Sequence, residues 1–422
     1  MRRQVDHLMY AAGDGLRNTI RTGVTLTEPI DAQALREAVD MLPRRFPYFS
    51  VRLVRKGDEL FYEQNDAPYT IAENGKAVAL GGEESNCHMV AFAFRDNTIF
   101  IDSSHFLMDG AGKFPFVKMA LFEYLRRVHP EAKFDVPGIP QPGDEISPEE
   151  MTDRPYPDKP VPVGPLITKE RPKEIFRLED QPRGYGSADT WTSFRLKIPQ
   201  KEMMAFASSI DGSPATFISS LIFRAITDLH PENRLPVICG MQHQFRKALG
   251  NLQSHSSHVR IVPITYPEWL RGRDLELLNT AGRGVLILQG DDEHDKLTVN
   301  EHIRNAEKIR GLSFKEKQEF MRRVVLEGIG ENTFEVSYTG RVGWNGLDRY
   351  ITGFAPYIDM TLSGGLSAEI FAIGECFDIN IMQRNGDGRY VDRIVSLLDS
   401  KGISSTAEEP EHFEVCGFEG GF

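Results

Sequence analysis

The sequence predicts a mixed α/β protein of two lobes joined by a proline-rich crossover. Three observations point there. The 422 residues are long for one hydrophobic core and comfortable for two lobes of about 200 residues each. Both halves mix apolar runs of strand character with runs at helical spacing. Between them, from Val136 to Pro182, prolines are dense and charges interleaved, as in Pro155-Tyr156-Pro157-Asp158-Lys159-Pro160-Val161-Pro162. Such a stretch holds little regular structure and predicts a stiff, extended connection. The organisation expected is an N-terminal lobe (1–135), a crossover (136–190), a C-terminal lobe (191–402) and an acidic tail (403–422).

In the first lobe, Asn18–Leu26 is rich in Thr and Val and predicts a strand. Asp31 caps a helix from Ala32 to Leu42, whose apolar positions Leu35, Val39 and Leu42 fall on one face, and Pro43 ends it. Strands follow near Phe49–Val54 and Glu59–Glu63, turned by Lys56-Gly57-Asp58, then at His88–Phe94 and Thr98–Asp102, turned by Arg95-Asp96-Asn97. Lys113–Val128 predicts an amphipathic helix, with Phe114, Val117, Leu121, Leu125 and Val128 aligned to pack on a sheet.

The second lobe opens with a strand at Trp191–Ile198. Ser213-Pro214 then starts a helix through His230, Ser as N-cap and Pro in the first turn, ended by Pro231. Leu235–Met241 and Val259–Ile264 read as buried strands. Ser313-Phe314-Lys315-Glu316 is a capping box for a helix to Leu326. Strands at Thr333–Ser337, Ala368–Ile373 and Cys376–Gln383 and a final helix at Tyr390–Ser400 complete the lobe. From Ile403 onward no apolar period is seen, which predicts a loosely held tail.

Hydrophobic residues make up 40% and charged residues 26%, a soluble globular composition. The 49 Lys and Arg against 61 Asp and Glu give a net charge of −12. That disfavours nucleic acid or an anionic membrane as partner, though a small local basic patch suffices for a phosphate-bearing substrate. Behind Met1-Arg2-Arg3 no apolar segment follows, so no signal peptide is expected. No run is long enough to span a bilayer. Cys87, Cys239, Cys376 and Cys416 are far apart and lack metal-ligand spacing, so they predict reduced thiols of a cytoplasmic protein and no structural zinc.

The chemistry concentrates at His105-Phe106-Leu107-Met108-Asp109-Gly110, between a strand and a helix. A histidine leaving a rigid strand can project into a cleft, and imidazole can take a proton from a hydroxyl or amine and return it to a leaving thiolate. Asp109, across the turn, suits an ion pair that holds the loop, and Gly110 suits the turn into the helix. On spacing alone, a surface histidine beside a helix-capping aspartate matches equally well.

Further segments add context. Glu28-Pro29-Ile30-Asp31-x-x-x-Leu35 with Arg45-Phe46-Pro47-Tyr48-Phe49, the His105–Gly112 stretch, Met241–Lys247 with Asn251, Ser337-Tyr338-Thr339-Gly340-Arg341-Val342, and Tyr390–Ile403 occur in order. Together they resemble the acyltransferase superfamily that includes chloramphenicol acetyltransferase, carrier-dependent condensation domains, plant and fungal alcohol acyltransferases and bacterial alcohol-acetyltransferase-like proteins. Asp109-Gly110-Ala111-Gly112 is closer to the last branch. The resemblance spans nearly the whole chain and departs at two places. Many relatives have a second histidine where Ser104 stands, and Tyr338 replaces an asparagine.

The resemblance implies two lobes of mixed sheets flanked by helices, with a tunnel between them. Coenzyme A thioester would serve as co-substrate, a small alcohol or amine as acceptor, and no metal would be needed. His105 would be the general base for direct attack on the thioester, and Asp109 structural, paired with Arg246. Ser104, Ser337, Tyr338 and Gly340 are candidates for tunnel or oxyanion contacts. Two alternatives stay open: a free-standing condensation-type enzyme using an acyl or peptidyl carrier protein, and a non-catalytic binding protein that kept the fold. Ser104 and Tyr338 keep the second alive.

Other signals have simpler readings. His255 and His258 fit a polar loop entering a strand better than a metal set, since no carboxylate or cysteine completes one. Asp291-Asp292-Glu293-His294-Asp295 reads as a solvated acidic loop. Ser363-Gly364-Gly365-Leu366 reads as a turn rather than a phosphate cradle. Met203, Met204 and Phe206 read as core.

Overall fold

Among the residues described by a computed structural model (2–13, 16–151, 156–167, 171–178, 191–328, 331–359, 364–384 and 386–419), the chain forms three sheets and eight α-helices. A small sheet runs β1 (Arg2–Gln4), β4 (Glu59–Gln64), β3 (Val51–Lys56). A five-stranded sheet runs β12 (Ile351–Ile358), β2 (Thr19–Leu26), β7 (Thr98–Ser104), β6 (Val90–Arg95), β5 (Ile71–Ala72). An eight-stranded sheet runs β10 (Val259–Tyr266), β9 (Val237–Gln244), β11 (Phe334–Arg341), β13 (Leu366–Ile373), β14 (Cys376–Gln383), β8 (Trp191–Pro199), β15 (Thr406–Ala407), with β16 (Glu411–Phe413) also on β8. The helices are α1 (Ala32–Val39), α2 (Gly110–Val128), α3 (Gln200–Ser209), α4 (Pro214–Leu229), α5 (Leu275–Gln289), α6 (Asp292–Ile309), α7 (Phe314–Gly328) and α8 (Arg389–Asp399).

Strand alternation decides how the large sheet sits. Along β13, Ala368, Ile370 and Ala372 point to one face and join Val336, Ile379, Ile381 and Leu196 in a core covered by α4 and α8. Ser367, Glu369 and Phe371 point to the other face, toward the five-stranded sheet. Phe371 meets Phe354 of β12 edge-on at 5.0 Å between centroids. One face is therefore ordinary core, at about 1.5–3 kcal/mol per large apolar side chain, and the other is a polar wall.

β12 fastens the halves together. It is reached from the second half of the chain, yet it pairs antiparallel with β2 of the first, Pro356 opposite Thr22. A proline cannot donate to a ladder, and β12 is an edge strand, where that loss is tolerated. Arg195 and Asn380 of the large sheet donate to the carbonyls of Phe354 and Pro356 at 3.2 and 2.6 Å. The proline-rich crossover forms no helix or strand among its described residues, and the four cysteines are free.

Several expectations need correction. The first helix stops at Val39, and Leu42 and Pro43 belong to a separate 3₁₀ turn. α2 begins at Gly110, three residues before the expected start, because Asp109 caps it by accepting from Gly112 N. The core reading of Met203, Met204 and Phe206 holds, with Met203 fully buried and the other two packed partly buried beside it, and all three lie on α3, a helix that no side-chain cap signals. β12, α5 and α6 are additional elements. Asp291–Asp295 is not a solvated loop: Asp291 caps α6, and Asp292 and Glu293 sit in its first turn, where free N–H groups favour carboxylates. Asp295 turns inward to Arg260 at 2.5 Å and His243 at 3.3 Å. The tail is not loose either. β15 and β16 cover the open edge of β8, Phe413, Val415, Cys416 and Phe418 are buried, and Thr19 donates to the Cys416 carbonyl at 2.9 Å. An unpaired strand edge is a strong reason for a short polar segment to order.

Candidate active site

At the end of β7 the chain turns sharply. Leu107 N and Met108 N donate back to the Ser104 carbonyl, and His105 N donates to Asn18 O at 2.8 Å. Leu107 and Met108 are buried and anchor the turn, so His105 is presented from a rigid edge. It reaches a cavity of about 560 Å³ between the five- and eight-stranded sheets. Ile20, Phe354 and Pro356 line one side, and Gln242, Ser337 and Phe371 the other.

His105 lies deep in the protein, with part of its ring open to the cavity. Burial disfavours its charged form more than the nearby Asp109 carboxylate favours it, so its pKa falls below the ordinary 6.5. The neutral imidazole therefore dominates at neutral pH. Its Nδ1 lies 3.5 Å from Ser257 Oγ.

Asp109 is engaged on every side. Besides Gly112 N at 2.9 Å, it accepts from Arg246 Nη2 at 2.7 Å and His258 N at 3.0 Å. Burial alone would raise its pKa, but Arg246 and these amides hold it below the usual carboxylate range. Arg246, itself buried, donates also to the carbonyls of Ser254 and Ser256 at 2.8 and 2.6 Å. The pair thus fastens the start of α2 to the loop before β10.

That fastening demands a glycine, though not the expected one. A Cβ on Gly110 would meet nothing within 4 Å, and its φ is not left-handed, so the turn does not need it. A Cβ on Gly112 would lie 2.0 Å from the His255 carbonyl oxygen. We expect Gly112→Ala to lower stability by about 1–3 kcal/mol or more through overpacking, and Gly110→Ala to stay within about 0.5 kcal/mol. Urea unfolding of both variants checks this, and equal behaviour would contradict it.

Of the sequence candidates, His105, Asp109, Gly110, Ser337 and Tyr338 all line the cavity, and Arg246 stands directly behind it. Ser104 and Gly340 do not line it. Ser104 is fully buried at the strand end, and Gly340, at φ +90°, forms the bulge in β11. His258 is buried in the loop and His255 half-buried, and His255 Nδ1 hydrogen-bonds Tyr48 at 2.8 Å. Ser363 lies outside the described residues. Gly364 passes so close to the Thr333 carbonyl that a Cβ would sit 2.7 Å away.

The sequence reading missed Lys113, Ser257, Glu335 and Glu369. Lys113 donates to the carbonyls of Ile20 and Ile101 at 3.2 and 2.7 Å, and burial lowers it to about 7 against the pull of Asp102. Burial, reinforced by Glu335 and opposed by a hydrogen bond from Ser337, raises Glu369 to about 8. The available signal was a lone charge inside an apolar strand run, Leu-Ser-Ala-Glu-Ile-Phe-Ala-Ile.

Asp6, His7 and His302 bring metal-ligand atoms within 4.8 Å of one another. Hydrogen bonding accounts for much of this. His302 Nδ1 and His7 Nε2 are 3.3 Å apart, and Asp6 Oδ1 accepts from Leu8 N at 2.8 Å to cap a short helix.

No protein-family model and no curated protein matches the chain. Solved structures do. TRI101 from F. graminearum, complexed with coenzyme A and deoxynivalenol, matches with a TM-score of 0.62 at 11% identity, over 96% of this chain and 99% of that one. The TRI3 trichothecene 15-O-acetyltransferase of Fusarium sporotrichioides matches at 0.59 and 12%, over 95% of each chain. Polyketide synthase associated protein 5 from Mycobacterium tuberculosis matches at 0.57 and 12%, over 94% and 96%. At these identities the likeness is one of fold, and the mixed sheets flanked by helices expected from the sequence are the fold these solved structures share.

Proposed function

We propose that this protein is an acyltransferase that moves an acyl group from a coenzyme A thioester to an alcohol or amine, with His105 as general base. The observation that carries this is an imidazole on a rigid strand end, open to a cavity between two sheets. The similar structures add weight, since TRI101 was solved with coenzyme A and with trichothecene ligands. The open cavity at His105 also speaks against the non-catalytic alternative.

In this reading the imidazole takes the proton from the acceptor O–H or N–H as its heteroatom attacks the thioester carbonyl carbon. The carbonyl becomes a tetrahedral oxyanion, for which the Ser257 and Tyr338 hydroxyls in the cavity lining are candidate donors. The C–S bond then breaks, and the imidazolium returns the proton to the leaving thiolate. Asp109, ionised and paired with Arg246, keeps the turn in place and moves no proton. No helix among the described residues is long and apolar enough to cross a membrane.

The test is thiol release from acetyl- and longer acyl-coenzyme A against a panel of alcohols and amines. Acceptor-dependent release supports the proposal. Transfer only from a carrier-bound acyl group would replace the donor, and silence with both would sink the enzyme reading. The pH dependence follows from the direction of the His105 shift. The base form is required, and the lowered pKa keeps it populated to below pH 6.5. With a neutral alcohol acceptor, the acid limb of kcat/KM should therefore have its midpoint below the ordinary imidazole value. An acid limb centred above the ordinary imidazole value contradicts this assignment.

A further inference from the structure

The polar wall of the cavity carries two carboxyl groups that the transfer step does not use. Glu335 and Ser337 lie two residues apart on β11, and Glu369 on β13 stands opposite Ser337 in the parallel register. All three line the cavity on one face of the sheet. Glu335 and Glu369 are 6% and 8% exposed. Glu335 meets the amides of Gln242 at 3.3 Å and Asn332 at 3.4 Å, and Glu369 meets the Ser337 hydroxyl.

Elsewhere the protein pairs its buried carboxylates with arginine. Asp109 has Arg246, Asp295 has Arg260, Glu123 has Arg126 and Arg127, and Asp378, on the same sheet face, has Arg195 at 2.8 Å. Among the described residues no Lys or Arg forms an ion pair with Glu369. The described cavity lining holds Asp6, Asp109, Glu335, Asp359 and Glu369 against one lysine, Lys113, with Arg246 behind Asp109, and the Lys113 ammonium is already bound by two carbonyls. A buried carboxyl with no cation beside it avoids the cost of an unpaired charge by keeping its proton, and a cation brought by a ligand can take that proton's place. The phosphates of a coenzyme A donor would be repelled there, which assigns the wall to the acceptor.

We propose that the acceptor carries a cationic group, an ammonium or guanidinium, which seats between Glu335 and Glu369 while its nucleophile faces His105. The role of His105 in this statement rests on the acyl-transfer reading, whereas the cation seat does not. Near neutral pH, Glu369 holds a proton because burial and the neighbouring Glu335 push it up to about 8. A bound cation expels that proton, so binding at pH 7 releases it to solvent.

Calorimetric titration without any thioester tests the seat separately from catalysis. The probes are 1,6-diaminohexane and its uncharged counterpart 1,6-hexanediol, at pH 7, in buffers of different ionisation enthalpy. The expected result is at least tenfold tighter binding of the diamine with net proton release, and loss of both in the Glu335→Gln/Glu369→Gln protein. Diol binding as tight as the diamine, no binding of either, or a preference that survives in the double variant would overturn the proposal. The wild-type comparison stands even where the variant fails to fold. Because no acyl group is present, a cation preference with no thiol release would remove the transfer reading and leave the seat.

Discussion

His105→Ala is expected to reduce kcat/KM for acyl transfer by about 10²–10⁴-fold, the range for losing a positioned general base, with the fold unchanged. The fold should hold because the turn is fixed by main-chain bonds from His105, Leu107 and Met108 rather than by the imidazole. The side chain's hydrogen-bond contact with another side chain is the long one to Ser257 Oγ, at 3.5 Å. Truncation widens a cavity that already exists, so no packed core is lost. The loss should fall mainly on kcat, because the proton is transferred in the transition state and the substrate is held by other walls. Thiol release and a urea unfolding midpoint, measured on the same preparation, check both halves. A well-folded variant with full activity would remove His105 from the chemistry.

The sequence made the local elements legible where local rules act alone. Ser213-Pro214 and Ser313–Glu316 announced α4 and α7 through capping, and both caps are present. The apolar segments of β8, β13 and β14 were also legible as strands. What stayed hidden was set by tertiary contact. β12 contains a proline and a glycine, and only its place at the edge of the other lobe's sheet makes it a strand. Asp295 looks like one more acid in an acidic run, and only Arg260 on a neighbouring strand makes it a buried anion.

The site divided in the same way. The turn bearing His105 and Asp109 could be read from six consecutive residues. Arg246 entered through a resemblance, and Glu335 and Glu369 required knowing which face of the large sheet meets the cleft. Gly110 and Gly112 show the limit most sharply. Both belong to one motif, but the one that needs the absence of a side chain is identified by a carbonyl more than a hundred residues away.

The second large effect concerns Asp109. Asp109→Ala should cost about 3–5 kcal/mol of stability, the range for removing one partner of a buried ion pair. The reason is what remains behind: Arg246 keeps its charge in a buried position, and the amides of Gly112 and His258 lose their acceptor. Asp109→Asn should be milder, because an amide oxygen can still cap α2. Adding Arg246→Met to Asp109→Ala should recover part of the loss, since no unpaired charge is left buried. The pH sign follows from the depressed carboxyl. Its contribution is complete above the ordinary 3.8 and disappears as pH falls through the lower folded-state value, so the gap between wild type and Asp109→Ala should be constant from about pH 5 to 8 and narrow only in strong acid. Urea midpoints across that range measure it, and a variant as stable as wild type would show that the pair does not hold the turn. Transfer activity should fall as well, even where the variant remains folded, because the residue that Asp109 holds in register is the proposed base. A fully active, destabilised Asp109→Ala would instead mean that the strand end positions His105 without help from the ion pair.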